Sequence, residues 1–125
     1  MTAHDANLPF SQFVEFAVNP GHHAGLVAAL DERFEQLICT YPGFIRASVH
    51  VSEDRKRVLS HVLWKDRMAC ERAFENAERD DEDMWELIRA HRTRSMVFNA
   101  YEQVSETLGR WDADGLPMAS VAWMA

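Results

Sequence analysis

Residues 44–51, FIRASVHV, and 57–64, RVLSHVLW, are two runs rich in β-branched and aromatic side chains, parted by the polar stretch Ser52-Glu53-Asp54-Arg55-Lys56. Runs of this kind at this separation pair as an antiparallel hairpin, because a lone strand leaves its backbone N–H and C=O groups open and the polar stretch supplies a turn. A turn centred on Asp54 sets Phe44 opposite Trp64, Ser48 opposite Ser60 and His50 opposite Val58. Side chains alternate along a strand, so one face then carries Phe44, Arg46, Ser48, His50, Val58, Ser60, Val62 and Trp64. The other carries Ile45, Ala47, Val49, Val51, Leu59, His61 and Leu63. The first is mixed and the second nearly all apolar; a bulge near the loop would shift the pairing by one and couple the opposite faces.

Periodicity on either side of the hairpin supplies its neighbours. Residues 11–18, SQFVEFAV, read as a strand with Val14, Phe16 and Val18 on one face and Phe13 and Ala17 on the other. Asn19 before Pro20 reads as a helix cap and first helical position, and Leu26, Leu30, Phe34, Leu37 and Ile38 form the apolar stripe that follows. Tyr41-Pro42-Gly43 ends that helix. From Asp66, Ala69, Ala73, Phe74 and Ala77 repeat at helical spacing up to a polar break at Glu78–Glu82. A short helix capped by Asp83 and Glu86 then carries Met84, Leu87, Ile88 and His91 on one face. Residues 96–104, MVFNAYEQV, make the last strand. The order β-α-β-β-α-α-β predicts an α+β, ferredoxin-like fold: a four-stranded antiparallel sheet with helices on one side. Both strand faces are apolar while helices cover only one, so a second copy is the simplest cover for the other, giving a homodimer and a dimeric α+β barrel. The domain is expected to occupy residues 11–104, after an N-terminal arm at 1–10. Residues 105–125 read equally as a free tail or as an arm docking on the partner subunit.

A chain of 125 residues, 47% hydrophobic and 26% charged, is expected to build one globular core. Thirteen Lys and Arg against twenty Asp and Glu give a formal charge of −7, which argues against nucleic acid and anionic lipid as partners. No run reaches membrane-spanning length, and MTAHDANLPF has neither the basic start nor the apolar run of a secretory signal, so cytoplasm is the expected address. Cys39 and Cys70 lack metal or redox spacing and are expected to be buried, reduced thiols. His22 and His23 are sequence neighbours and no HExxH occurs, so no metal is expected. No glycine-rich phosphate cradle, dinucleotide fingerprint or nucleophile elbow is present, so no bound cofactor is expected either.

The segment PGFIRASVHVSEDRKRVLSHVLWKD, residues 42–66, resembles the hairpin of antibiotic biosynthesis monooxygenases from aromatic polyketide pathways. The residues that carry the likeness are Pro42, Gly43, Phe44, His50, Ser52, Asp54, Arg57, Val58 and Trp64: a proline-glycine-aromatic start, a strand histidine and a strand-ending tryptophan. Element order extends the likeness over residues 11–104. The resemblance implies a dimeric ferredoxin-like fold and includes cofactor-independent oxygenases that turn anthrones or quinols into quinones. Those oxygenases usually carry an asparagine four residues before the tryptophan and often a tyrosine beside it; here Ser60 and His61 stand there. Haem-degrading relatives place a histidine after the tryptophan, on the helix, where Ala73 and its neighbours stand here.

On this reading Trp64 is the leading site candidate, an aromatic pocket wall, with a plain core tryptophan as the alternative. His50 is the candidate general base and Arg46 the candidate stabiliser of a developing oxyanion, with a hydrogen-bonded structural histidine as the plain alternative. Phe44, Ser48, Ser60 and Val62 complete the mixed face as substrate contacts. His91 either leans over the sheet or complements a helix end, Asn99 and Tyr101 share a strand face from which they can donate to a substrate oxygen, and His61 is placed at the dimer contact. The implied activity is oxygenation of a polycyclic phenol, with a small aromatic substrate and dioxygen as partners. The alternatives are a cyclase, isomerase or decarboxylase of a polyketide-like intermediate, or a non-catalytic dimeric binding or accessory protein.

Overall fold

The computed structural model describes residues 8–80, 90–91 and 93–111, with the side chains of 76–80 outside that description. Four strands, β1 (Phe10–Ala17), β2 (Phe44–Val51), β3 (Arg57–Trp64) and β4 (Ser95–Glu102), form one antiparallel sheet in the order β2-β3-β1-β4. Helix α1 (His23–Gln36) joins β1 to β2 and α2 (Arg67–Asp80) leads from β3 towards β4, which makes the α+β ferredoxin-like arrangement. The short helix expected at 83–91 lies outside the described residues apart from its end, and the tail beyond residue 111 lies outside them entirely.

Local chemistry explains where the elements start. The chain leaves β1 through a turn in which the His22 N–H donates to the Asn19 carbonyl at 3.0 Å, with Gly21 at φ 95°. That positive φ keeps Pro20 out of the helix, so α1 begins at His23, three residues later than the Asn-Pro pair suggests, and no side chain caps it. A 3₁₀ turn at Ile38–Thr40 then carries the chain to Gly43 at φ 87°. A Cβ at Gly43 would collide with the Ala69 Cβ, so glycine is required both for the backbone angle and for the approach of α2. Asp66 starts α2 by accepting the Ala69 N–H at 2.8 Å. The helix continues through Glu78 to Asp80, where a polar break is expected from the sequence, because Glu and Arg are good helix formers and a polar run without Gly or Pro carries no helix-breaking residue.

The hairpin register corrects the expected one. From Arg46 to Val51 the partners are Ala47 with Val62, Ser48 with His61, Val49 with Ser60 and His50 with Leu59, one residue displaced from a turn centred on Asp54. Ser52 and Arg57 close the loop through the Ser52 N–H to Arg57 carbonyl bond at 3.0 Å. Within it the Asp54 carboxylate accepts the Ser52 hydroxyl at 2.7 Å and the Lys56 N–H at 3.0 Å, while Arg55 takes φ 62°. These donors hold the Asp54 carboxyl below its ordinary pKa, the Ser52 hydroxyl first. Four residues therefore lie between the closing pair, an even count. A bulge between Phe44 and Arg46 restores Phe44 to Trp64 at the far end.

The core follows this register. On the helix side, Val14, Phe16, Val18, Leu26, Leu30 and Val58 form one cluster; Phe10, Tyr41, Val62, Trp64, Ala69, Cys70 and Ala73 form the other. Cys70 is buried as expected, but Cys39 is exposed, its S–H 3.1 Å from the Glu35 carbonyl. At the Phe10 end the Arg67 guanidinium lies 5.3 Å from the Phe10 ring centroid and pairs with Glu102 at 2.8 Å, tying the start of α2 to the end of β4.

Candidate functional site

Strand alternation and the observed register divide the chemistry-bearing side chains between two surfaces. Val58, Ser60, Val62 and Trp64 of β3 face the helices, beside Ala47, Val49 and Val51 of β2 and Phe10, Gln12, Val14 and Phe16 of β1. Trp64 is only 2% exposed, and the Phe44 ring meets it edge-on at 5.8 Å between centroids. Its indole N–H donates to Gln12 Oε1 at 3.1 Å, and the Cys70 S–H approaches the same oxygen at 3.9 Å. Burial, with Glu71 adding its charge, pushes the Cys70 thiol up to about 11, so it stays protonated and is not a nucleophile. Ser60, 4% exposed, reaches only a long 3.5 Å contact to the Val14 carbonyl. Phe34, Leu37, Ile38 and Phe44 form a half-exposed rim against this cluster.

The open face carries the other set. Ser48 Oγ and His50 Nε2 lie 3.0 Å apart, and Ser11 Oγ and His61 Nε2 lie 2.9 Å apart. The His61 ring stacks on Phe13 at 4.4 Å, and Tyr101 meets Phe13 edge-on at 5.7 Å. Burial, and then the charges of Arg46 and His50, hold the His61 pKa below its ordinary value, which keeps the imidazole neutral. Phe13, Glu15, Leu59, Val97, Asn99 and Tyr101 line a shallow depression of about 290 Å³ beside it.

The predicted residues therefore do not form one pocket. Phe44, Ser60, Val62 and Trp64 stay together on the helix side, while Arg46, Ser48 and His50 stand on the open face with Asn99 and Tyr101. The shared His50–Trp64 face expected from the sequence is corrected by the even-numbered loop: a sheet separates the two side chains. His61 lies opposite Ser48 and not Ala47, on the open face. His91 belongs to neither group; its Nδ1 lies 3.0 Å from where a Cβ at Gly25 would sit, against the first turns of α1. Among the described residues, no group of three His, Cys, Asp or Glu converges as a metal site, and no helix is long and apolar enough to cross a membrane. Sequence reasoning passed over Gln12. Its signal is an amide at a helix-facing position of an otherwise apolar series, Phe10, Val14 and Phe16.

A family model described as antibiotic biosynthesis monooxygenase matches residues 9–81, more than half of the chain. The chain belongs to the antibiotic biosynthesis monooxygenase family. No curated protein sequence matches it. Among solved structures, it is similar to a monooxygenase from the ActVA-Orf6 gene of Streptomyces coelicolor, crystallised with nanaomycin D. The two are 22% identical with a TM-score of 0.65, over 84% of this chain and 96% of that one. It is also similar to SnoaB, a cofactor-independent oxygenase from Streptomyces nogalater, at 16% identity and a TM-score of 0.59, over 81% and 97% of the two chains. A dimeric ferredoxin-like protein from an uncultured marine organism matches at 15% identity and a TM-score of 0.68, over 80% and 99%. At these identities the likeness establishes the fold, in agreement with the α+β ferredoxin-like expectation.

Proposed function

We propose that the protein is a cofactor-independent monooxygenase acting on an electron-rich polycyclic phenol, such as an anthrone- or quinol-like intermediate of secondary metabolism, and that it works as a homodimer. The reading rests on family membership and on one observation: a buried indole with its N–H fixed by an amide, and a loosely bonded serine four residues before it on the same, otherwise apolar, strand face. Trp64 and Phe44 offer the rings an aromatic wall, and Gln12 and Ser60 offer donors for a phenolic oxygen. Hydrogen bonds to the oxyanion favour ionisation of the substrate itself, and the delocalised anion passes an electron to dioxygen. A ring methylene loses two hydrogens, one oxygen atom becomes the new carbonyl, and the other leaves as water. In the proposed dimer the open faces pack together, so that Leu59, Val97 and the Phe13 platform are covered by the partner.

Oxygen uptake with 1,8-dihydroxyanthrone tests this, coupled to mass analysis of the product formed under ¹⁸O₂. Uptake above the protein-free rate with one labelled atom in the product is the expected result; none overturns the oxygenase reading, and a rearranged product without label indicates a cyclase or isomerase. The 2% exposure of Trp64 favours a second reading, a non-catalytic dimeric binding or accessory protein in which the indole is core alone. That reading predicts no stabilisation by aromatic polyketides in a thermal-shift screen.

A further inference from the structure

Strand alternation and register sort the open face by charge. One half, β2 and β3, carries Arg46, His50 and Arg57 and no carboxylate among its strand residues. The other half, β1 and β4, carries Glu15 and no cation among its strand residues. Glu15 is half-buried, with Phe13 and Ala17 beside it on β1, Leu59 across from it on β3 and Val97 across from it on β4. Its carboxylate therefore sits in the shallow depression among mostly apolar side chains, and among the described residues it makes no ion pair or hydrogen bond. The cationic half is equally unbalanced: burial first, and then the charges of Arg46 and His50, hold the His61 pKa down. A carboxylate with apolar neighbours is costly to cover unless the cover brings a donor or a cation. The face itself offers both, on its opposite half.

Two copies laid face to face are related by a two-fold axis lying between the sheets. An axis across the strands sets each strand over its own counterpart, so that the Arg46 and His50 strands face each other and Glu15 lies over the partner's β1. An axis along the strands, between β3 and β1, reverses the order and sets β2 over β4 and β3 over β1. His50, Leu59, Glu15 and Val97 share one row across the sheet, and this second axis keeps rows together. Glu15 then lies over the partner's Leu59, with the partner's His50 on the neighbouring strand and the partner's Arg57 two positions along. Arg46 lies over the partner's Tyr101, a ring that takes a guanidinium on its face. We propose that the open face docks a second copy of this chain in this orientation, with the Glu15 carboxylate of each copy accepting the His50 N–H of the other. With the Ser48 hydroxyl 3.0 Å from His50 Nε2 and donating to it, the imidazole carries its hydrogen on Nδ1, free to reach a carboxylate. This rests on the homodimer reading above and deepens it by naming the groups that set how the two faces meet. Pairing opposite halves favours this docking and penalises the across-strand one.

The test is the dimer dissociation constant of the full chain, measured by analytical ultracentrifugation in the parent, Glu15→Lys, His50→Glu and the double variant, with circular dichroism as the check on folding. Each single change sets like charges against each other twice across the two-fold axis and should weaken the dimer roughly 10–100-fold. The double variant re-forms the pair with its signs exchanged and should recover to within about 3-fold of the parent. Within one subunit β3 stands between the two side chains, so recovery can come only from across the interface. Penalties that add in the double variant, or a parent-like dimer in Glu15→Lys, overturn the proposed orientation and leave the dimer standing. A parent that is monomeric at micromolar concentration overturns both. Should Glu15→Lys not fold, Glu15→Gln serves instead: the parent dimer should weaken as salt rises from about 0.05 to about 0.5 M, and the variant should lose most of that response. A salt response unchanged in Glu15→Gln overturns the proposal as well.

Discussion

The helix-covered and open faces of the sheet are made from alternate residues of the same strands, yet they handle polar groups in opposite ways. Under the helices, the Trp64 indole N–H and the Cys70 S–H both turn to the Gln12 carboxamide oxygen across β1, β3 and α2, because Trp64 and Cys70 are buried and an unpaired polar group there would be costly. On the open face the pairs are local or between neighbouring strands, Ser48 with His50 and Ser11 with His61, on a surface that still exposes Val97 and Tyr101 by about half. Covering therefore decides what a side chain can do: the closed face holds groups in place, and the open face offers them to a second molecule.

Trp64→Ala should give the largest effect. It removes the largest of the fully buried side chains and strips the Gln12 oxygen of its main donor, so unfolding free energy should fall by about 3–5 kcal/mol in a denaturant titration. A loss under about 1 kcal/mol would mean that the covered face is loosely packed and differs little from the open one. The open face should respond in assembly instead. Leu59→Asp should weaken the proposed dimer roughly 30-fold, read by light scattering over a dilution series, with the circular dichroism spectrum kept. A parent protein that is monomeric at micromolar concentration breaks the comparison at this point, since the open face would then have no partner of its own kind.

Strands, their order and the amphipathic faces were legible in the sequence because a period of two, a period of 3.6 and the Pro-Gly turn are local signals. The hairpin limits were found to the residue, and β1 and β4 to within one or two. What the sequence concealed was parity. Whether three or four residues lie between the closing pair of the β2–β3 loop depends on Asp54 and Arg55 conformations that no pattern reports, yet that single residue moves Arg46, Ser48 and His50 across the sheet from Trp64. Gln12 was hidden for a different reason. Its partner is 52 positions away, and an amide in a strand has no local mark of what it will meet.

The open face carries a pH signature that the covered face lacks. His61 is held below its ordinary pKa of 6.5, so as pH falls the unfolded chain takes up its proton first. Stability should be complete above about pH 6.5 and decline from there down to the folded-state pKa. His61→Gln should flatten that decline in melting curves taken between roughly pH 5 and 7. The effect should be small in one subunit, because the ring is only partly buried, and an unchanged slope in the variant would assign the acid response to another group.

The smallest expected effect belongs to His50, and it bears most directly on which face does the chemistry. Its ring is exposed, with Nε2 3.0 Å from Ser48 Oγ, so His50→Gln should leave stability within about 0.5 kcal/mol. Because the sheet stands between His50 and Trp64, the same variant should also leave binding and oxidation of 1,8-dihydroxyanthrone near the parent's values. A general base behaves otherwise: replacing it should cost roughly 10²–10⁴ in rate and remove the acid limb of the pH–rate profile, with binding kept. If His50→Gln loses that limb, the substrate lies on the open face, beside the Phe13, Asn99 and Tyr101 depression. The covered face would then be core alone. Near-parental rates in His50→Gln combined with a weakened dimer in Leu59→Asp would assign chemistry to the helix side and assembly to the open side, a division that neither variant can establish without the other.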